Sequence, residues 1–428
     1  MSKVKIVART VEDVNPDPSK VKEEAVCISG KAAGICYMPD DYLSNGIQDN
    51  EKALKRAKMN AESGHYSVYE HTHISFIIET DKMMAMILNS TGLYCTSEKS
   101  ARYTAMKGNT ELEDQLYNKW RDIFKNLAKD YYLYKDCSDT ELDKIAMENA
   151  RYMLSVFTPT VLEYTIPFSR AILIPEWLDN LAYDIERSFD ADLEFVNKDR
   201  YFWSKVASEC IELAENIRSA IGITKEDSIL KDHKNMGIEL FSKFNTIRRL
   251  SNIIYNLKDI DEIDDNEYNS YTDNYCIHYQ ASFAELAQAQ RHRTLRYNIN
   301  SINNNLYYIP ELISEEYKSE WINDFNKLRE NNIYPQGIIL DIEEEGRFEE
   351  FVLKCKERLC LRAQTEIRMN TEDTLLAFAF CNNLNNVNSF ILNSMMANVS
   401  TAKLRCQCKG YTCKEPCKYL KYYIENNK

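Results

Sequence analysis

A chain of 428 residues exceeds what one hydrophobic core usually holds, so two domains of about 200 residues each are expected and a lone small binding module is excluded. With 44% hydrophobic and 28% charged residues but only 11 Gly and 9 Pro, it can bury a core, which excludes global disorder and collagen-like chains. Its 53 basic against 66 acidic side chains leave a formal charge of −13, so no general attraction to nucleic acid or membrane is expected, and an anionic ligand must be met by a local cluster of Arg.

Met1 to Thr10 reads as a short amphipathic strand carrying Lys3, Lys5 and Arg9 rather than as an export signal. A strand is expected over Ile74 to Ile78 and an amphipathic helix over Glu111 to Lys129. A helical stretch spans Ala191 to Ala220, followed by a polar seam near Gly222 to Gly237 and an acidic, Asn-rich exposed loop over Asp259 to Asp273. Tyr275 to Tyr279 reads as a strand, and the helix after it opens with Ser282-Phe-Ala-Glu285, a capping-box pattern. Arg296 to Asn305 reads as an Asn-rich loop, and Leu312 to Arg329 as a second amphipathic helix. No run reaches the about 18 consecutive apolar residues of a membrane span. The 13 Cys, odd in number and mostly scattered, are the usage of a reducing compartment, so a cytoplasmic protein is expected.

A self-similarity appears at a constant offset of 201 residues. Ser100 pairs with Ser301, Trp120 with Trp321, Phe124 with Phe325 and Leu127 with Leu328 without a gap. The last three pairs form an i, i+4, i+7 apolar stripe, so their two helices should be equivalent. The same offset aligns Ile74–Ile78 with Tyr275–Tyr279. This spacing points to duplication, with a first copy over residues 1–228 and a second over 229–428.

The most informative run is Arg291-His292-Arg293, then seven residues, then Ser301. Cations at a helix C-terminus suit the helix dipole and need no ligand. Here, however, the run follows an almost uncharged apolar helix and leads into Arg296 and many amides, a composition suited to gripping phosphate and pyrimidine. The sequence at this point resembles the flavin-dependent thymidylate synthases, whose signature is Arg-His-Arg, seven residues, Ser. Gly64-His65-Tyr66-Ser67-Val68-Tyr69-Glu70-His71 is similar to the family's Gly-His-x-Ser/Thr-x-x-Glu-His segment. Ser100-Ala101-Arg102-Tyr103 resembles its Ser-x-Arg-Tyr loop, and Arg362-Ala363-Gln364-Thr365-Glu366-Ile367 resembles its Arg-Ala-Gln-Trp-Glu-Ile segment, with Thr365 in place of Trp.

The departures are complementary. At the offset, Arg291, His292 and Arg293 face Ser90, Thr91 and Gly92, while Arg102 and Tyr103 face Asn303 and Asn304. The resemblance implies an α+β fold, present as two tandem copies that each combine a sheet with long helices, fused into a pseudo-dimer with one composite site. It implies dUMP contacts at Gln288 and Arg291 of the second copy and at Glu98, Ser100, Ala101, Arg102 and Arg151 of the first. Arg358 matches the Arg that stabilises ionised uracil N3. For FAD it implies His65, Ser67, Glu70 and Arg170 together with Arg291, His292 and Arg293, although Phe168 replaces an expected Asn beside Arg170. NADPH would be the reductant and methylenetetrahydrofolate the carbon donor, with dUMP converted to dTMP by a homodimer acting as a pseudo-tetramer. A methylase or hydroxymethylase of another uracil nucleotide, and a non-catalytic nucleotide- or RNA-binding paralogue, are the alternatives.

Cys276 and Cys360 lie in apolar runs where a thiolate is disfavoured, so no Cys nucleophile is expected. Cys406, Cys408, Cys413 and Cys417 have the density of a zinc or iron–sulfur site, and equally of a reduced exposed tail.

Overall fold

The computed structural model describes residues 2–12, 17–37, 49–92, 94–131, 134–135, 137–190, 199–227, 255–256, 274–360 and 363–381. The chain begins with β1 (Lys3–Arg9), α1 (Val21–Gly34), α2 (Asn50–Glu62), β2 (His73–Asp81), α3 (Lys82–Leu88) and β3 (Cys95–Glu98). It continues through α4 (Glu111–Asp130), α5 (Asp139–Ala150), β4 (Pro159–Pro167), α6 (Phe168–Asp190) and α7 (Arg200–Ile221). The last third holds β5 (Tyr255–Asn256), β6 (Asn274–Ser282), α8 (Phe283–Ala289), β7 (Arg296–Tyr307), α9 (Glu315–Glu330), β8 (Ile338–Arg347), α10 (Phe348–Arg358) and α11 (Thr365–Cys381). Helices and sheets are thus mixed, and no described helix is long and apolar enough to cross a membrane.

Packing divides the chain into two compact units, Met1–Lys99 with Phe157–Glu239, and Ser100–Val156 with Leu240–Lys428. Residues 100–156 therefore pack with the later part of the chain.

The first unit is built on a four-stranded antiparallel sheet in the order β1-β2-β4-β3. Ile74, Phe76 and Ile78 of β2 stand opposite Ile166, Tyr164 and Leu162 of β4, and all six are buried. The alternation leaves Val161 exposed, as expected of a sheet covered on one face. Beside it α1 and α2 approach closely because Gly30 meets Ala53; a Cβ at position 30 would lie 1.9 Å from the Ala53 carbonyl oxygen.

The second unit is built on another four-stranded sheet, β5-β6-β8-β7, antiparallel except for the β5–β6 pair. The run Arg296 to Asn305, expected to be a loop, is strand β7. Tyr297 and Ile299 bury against the core while Asn298 and Ser301 bond Glu343 and Asp341 of β8, so cross-strand partners override the poor strand propensity of Asn. Both expected amphipathic helices form. Thr110 and Glu113 make a full capping box at the start of α4, and the apolar stripes of α4 and α9 meet in the core. Trp120 and Trp321 contact edge to face with ring centroids 4.7 Å apart, and Phe124 lies 5.4 Å from Trp321. Asp324, fully buried, accepts from Trp120 Nε1 at 3.0 Å and pairs with Lys119 and Lys327.

The helix α8 is capped as expected by Ser282, whose hydroxyl accepts from the Glu285 backbone N–H at 3.1 Å. The reciprocal half of the expected capping box is not made by Glu285. Glu366 of α11 takes it, accepting from the Ser282 N–H and hydroxyl at 2.7 Å each, which leaves Glu285 buried with neither carboxylate oxygen bonded.

Candidate functional site

In the second unit, the buried helix α8 ends where Arg291 N–H turns back to the Gln288 carbonyl at 3.2 Å and His292 N–H to that of Ala289 at 2.9 Å. The Arg-His-Arg triplet therefore sits on a tight turn, with Arg291 and Arg293 outward and His292 buried. The last turn of α10 brings Arg358 onto it. Arg358 Nε donates to His292 Nε2 at 2.8 Å and one terminal nitrogen donates to the Gln288 carbonyl at 3.2 Å. His292 is thereby fixed as an acceptor at Nε2; burial and then the charge of Arg358 lower its pKa to about 2, so it is neutral. Glu366 is bonded instead to Ser282 and Tyr152, and among the described residues it makes no pair with Arg358.

The Ser100-Ala101-Arg102 loop lies in the same unit. Ser100 shapes it by accepting from the Arg102 N–H at 3.3 Å, while its carbonyl accepts from the Thr104 N–H at 3.1 Å. Arg102 Nε donates to Glu148 of α5 at 2.8 Å. Burial works against the Arg102 charge, but Glu148 and Tyr103 outweigh it and hold the guanidinium above its usual value. Arg151, just beyond α5, is buried; it donates to the Ala284 carbonyl at 2.9 Å and to Gln364. Gln364 also accepts from Gln288 and donates to the Tyr152 hydroxyl.

These side chains share one electrostatic neighbourhood. Arg358 is lowered by burial, offset by Glu357 and reinforced by Arg102 and Arg291. Arg151 is lowered chiefly by burial, and Arg102 acts on it in the same direction. Four guanidinium groups from distant parts of the sequence thus converge, with Glu148 bonded to one of them. Like charges gathered in this way repel, and an anion would relieve them. Arg151 Nε and Gln288 Oε1 are buried without hydrogen-bond partners, a donor and an acceptor left for that ligand.

Of the residues the sequence points to, Arg102, Arg151, Gln288, Arg291, His292 and Arg358 lie together in this unit. The sequence does not point to Gln364, which bridges Arg151 and Gln288, or to Glu148, which orients Arg102. Gln364 stood inside the quoted Arg-Ala-Gln-Thr-Glu-Ile run, whereas nothing local marked Glu148.

The remaining expected residues lie in the first unit. His65, Ser67 and Glu70 are exposed on a 3-10 turn, which Tyr69 anchors by donating to the Ala57 carbonyl at 3.0 Å. Arg170 of α6 is lowered by burial and raised by Glu70, so these two are neighbours. Glu98 pairs with buried Lys82 at 2.5 Å and accepts from Thr160 at 3.2 Å. Among the described thiols Cys276 is buried and Cys360 half-buried, near enough to Arg102 to affect its charge. Cys406, Cys408, Cys413 and Cys417 lie outside the described residues, as do most of the Gly222–Gly237 seam and all of Asp259–Asp273.

The second unit is thus a mixed helix-and-sheet unit carrying a cluster of guanidinium groups around buried amides. Residues 19–168 match the sequence family described as "Thymidylate synthase complementing protein". The chain resembles that family, as its motifs imply. The match covers the His65–Glu70 segment, the Arg102 loop and Arg151, and stops before the Arg291 triplet. Solved structures similar to it include Thymidylate Synthase X (ThyX) from Helicobacter pylori with FAD and dUMP, at 19% identity over 54% of this chain and 100% of that one, TM-score 0.28. Another is a UMP/dUMP methylase PolB from Streptomyces cacaoi bound with 5-Br dUMP, at 18% identity over 41% and 77%, TM-score 0.26. Overlays this loose carry no weight for fold or activity. A comparison with curated proteins gives no match.

Proposed function

We propose that this chain is a flavin-dependent methylase of a uracil nucleotide, converting dUMP to dTMP with methylenetetrahydrofolate as carbon donor and NADPH as reductant. The observation that carries this reading is the convergence of Arg102, Arg151, Arg291 and Arg358 around Gln288 at the positions the resemblance assigns to the nucleotide. In this reading Arg102 and Arg291 grip the phosphate, while Ser100 and Ala101 line it through the loop. Gln288 and Arg151, tied together by Gln364, offer the unbonded acceptor and donor to the rest of the nucleotide.

Arg358 is the catalytic residue of the proposal. Its Nε and one terminal nitrogen are bound by His292 and the Gln288 carbonyl, which leaves the other terminal nitrogen as a fixed donor. A donor aimed at uracil N3 favours the ionised ring, whose C5 is then nucleophilic enough to attack a one-carbon unit. Neutral His292 serves by holding the fork in place, and it can accept from Arg358 only while it stays unprotonated. The flavin, when bound, supplies transfer of the hydride and the one-carbon unit. For FAD, the half-buried Arg170 beside Glu70 in the first unit has the cationic chemistry that a diphosphate needs, and His65 and Ser67 of the same unit belong to the set implied by resemblance.

The one-site tandem arrangement is part of the same proposal. The shared strand order of the two sheets supports it, with the β5–β6 pair parallel where β1–β2 is antiparallel. The test is to incubate the yellow, FAD-loaded chain with methylenetetrahydrofolate, NADPH and either dUMP or UMP, and to identify products by mass. Methylated dUMP is expected; no methylated nucleotide from either substrate would contradict the reading.

A further inference from the structure

The polar residues of β7, assigned from sequence to nucleotide recognition, have a different place in the structure. β8 lies between β6 and β7, and His278, Glu343 and Asn298 stand opposite one another in a single row across the three strands. Side chains alternate along a strand, so Cys276, two residues before His278, shares its face. Tyr279 is on the opposite face, where it donates to Glu344 at 3.1 Å beside Lys354 of α10. The row therefore lies across the sheet from α10 and is separate from the guanidinium cluster.

The Cys276 thiol, a ring nitrogen of His278 and a carboxylate oxygen of Glu343 all lie within 4.8 Å of one another. His278 Nε2 is 3.4 Å from Glu343 Oε2, and it is buried without a hydrogen-bond partner. A tetrahedral zinc ion with bonds of about 2.0–2.3 Å sets its ligand atoms about 3.5 Å apart. The His–Glu spacing already matches, and the thiol, within 4.8 Å of both, has at most about 1.3 Å to close, within reach of a rotamer adjustment. Asn298 donates to Glu343 Oε1 at 2.9 Å and Asn300 lies 3.1 Å from His278 Nδ1. Outer contacts of this kind orient metal ligands; the atom facing Nδ1 is the Asn300 amide nitrogen, so with metal on Nε2 the amide turns over and its oxygen accepts the Nδ1 proton.

Charge points the same way. The neighbouring carboxylates on this face are engaged, Asp341 by Ser301 and Gln280, and Glu345 by Arg296. Among the described residues, Glu343 has an amide and a histidine ring as bonded neighbours. A thiolate, a carboxylate and a neutral imidazole together cancel a divalent charge, as a half-buried position requires.

We propose that Cys276, His278 and Glu343 bind a zinc ion, with a solvent molecule in the fourth position, clipping β6 to β8. Binding converts the thiol to thiolate and releases its proton to solvent, so uptake weakens as pH falls. The test uses the full chain with Cys406, Cys408, Cys413 and Cys417 changed to Ser, so that the tail contributes no thiolate. After dialysis against cobalt(II), one metal per chain and a near-ultraviolet thiolate-to-cobalt band are expected. Cys276→Ser should abolish the band, while Asn300→Ala, which keeps all three ligands, should weaken binding about 10- to 100-fold. Zinc should raise the melting temperature of the parent and not of Cys276→Ser. A metal-free parent, or a cobalt band that survives Cys276→Ser, overturns the proposal.

Discussion

Glu285 shows what a single misplaced partner does to a carboxyl group. Its side chain is fully buried, one helical turn before Gln288, because Glu366 has taken the capping role that the sequence pattern gives to Glu285. Burial first, then Glu366 and Glu344, push its pKa up to about 8 against the pull of Lys354 and Arg358. The folded state thus keeps a proton that the unfolded state loses above its ordinary value of 4.5. Stability from this group is intact below that value and falls as pH rises toward about 8. Glu285→Gln should therefore melt progressively higher, relative to the parent, between pH 5 and 8; an unchanged difference across that range would show that Glu285 is ionised in the fold. At Arg358 the expectation concerns rate. Arg358→Ala should lower turnover about 100- to 1000-fold, and Arg358→Lys should recover part of it, because Lys keeps charge but cannot bond His292 and Gln288 as a planar fork. Flavin reduction by NADPH should be largely preserved in both; loss of reduction and methylation together, with a lower melting temperature, would make Arg358 a packing residue.

Elements whose burial follows a simple period were legible in the sequence. The i, i+4, i+7 stripes gave α4 and α9, and alternation gave β2 and β6 within a few residues at each end. β7 was missed because its outward positions are Asn and Ser, whose strand-forming role depends on Glu343 and Asp341 of a strand about 40 residues further on, beyond any local pattern. The pairing of α4 with α9 was likewise invisible, although its residues were the ones the internal repeat singled out. Trp120→Ala and Trp321→Ala should each cost about 3–5 kcal/mol in urea unfolding. Since the rings touch, the double variant should lose clearly less than the sum; strict additivity would mean that the two helices do not share this contact. At the α1–α2 crossing, Gly30→Ala meets backbone rather than a movable side chain, so a loss of about 1–3 kcal/mol is expected, and a neutral result would show that the helices sit further apart.

At the scale of the whole molecule, a chain of net charge −13 gathers four guanidinium groups in one unit. Motifs made most of that cluster readable, because Arg102, Arg291 and Arg358 lie in runs whose spacing resembles a known family. What joins them, the Gln364 bridge and the Glu148 pairing, depends on how α5, α8 and α11 pack and has no local signature. The central claim is that this cluster is one uracil-nucleotide site per chain, assembled from the Arg102 loop and the Arg291 triplet. Calorimetric titration of dUMP into the full, FAD-loaded chain tests it most directly. The account predicts one nucleotide per chain, with Arg102→Ala and Arg291→Ala each losing about 2–5 kcal/mol of binding although they stand 189 positions apart in the sequence. Two equivalent nucleotides per chain, or wild-type affinity in either variant, would contradict it.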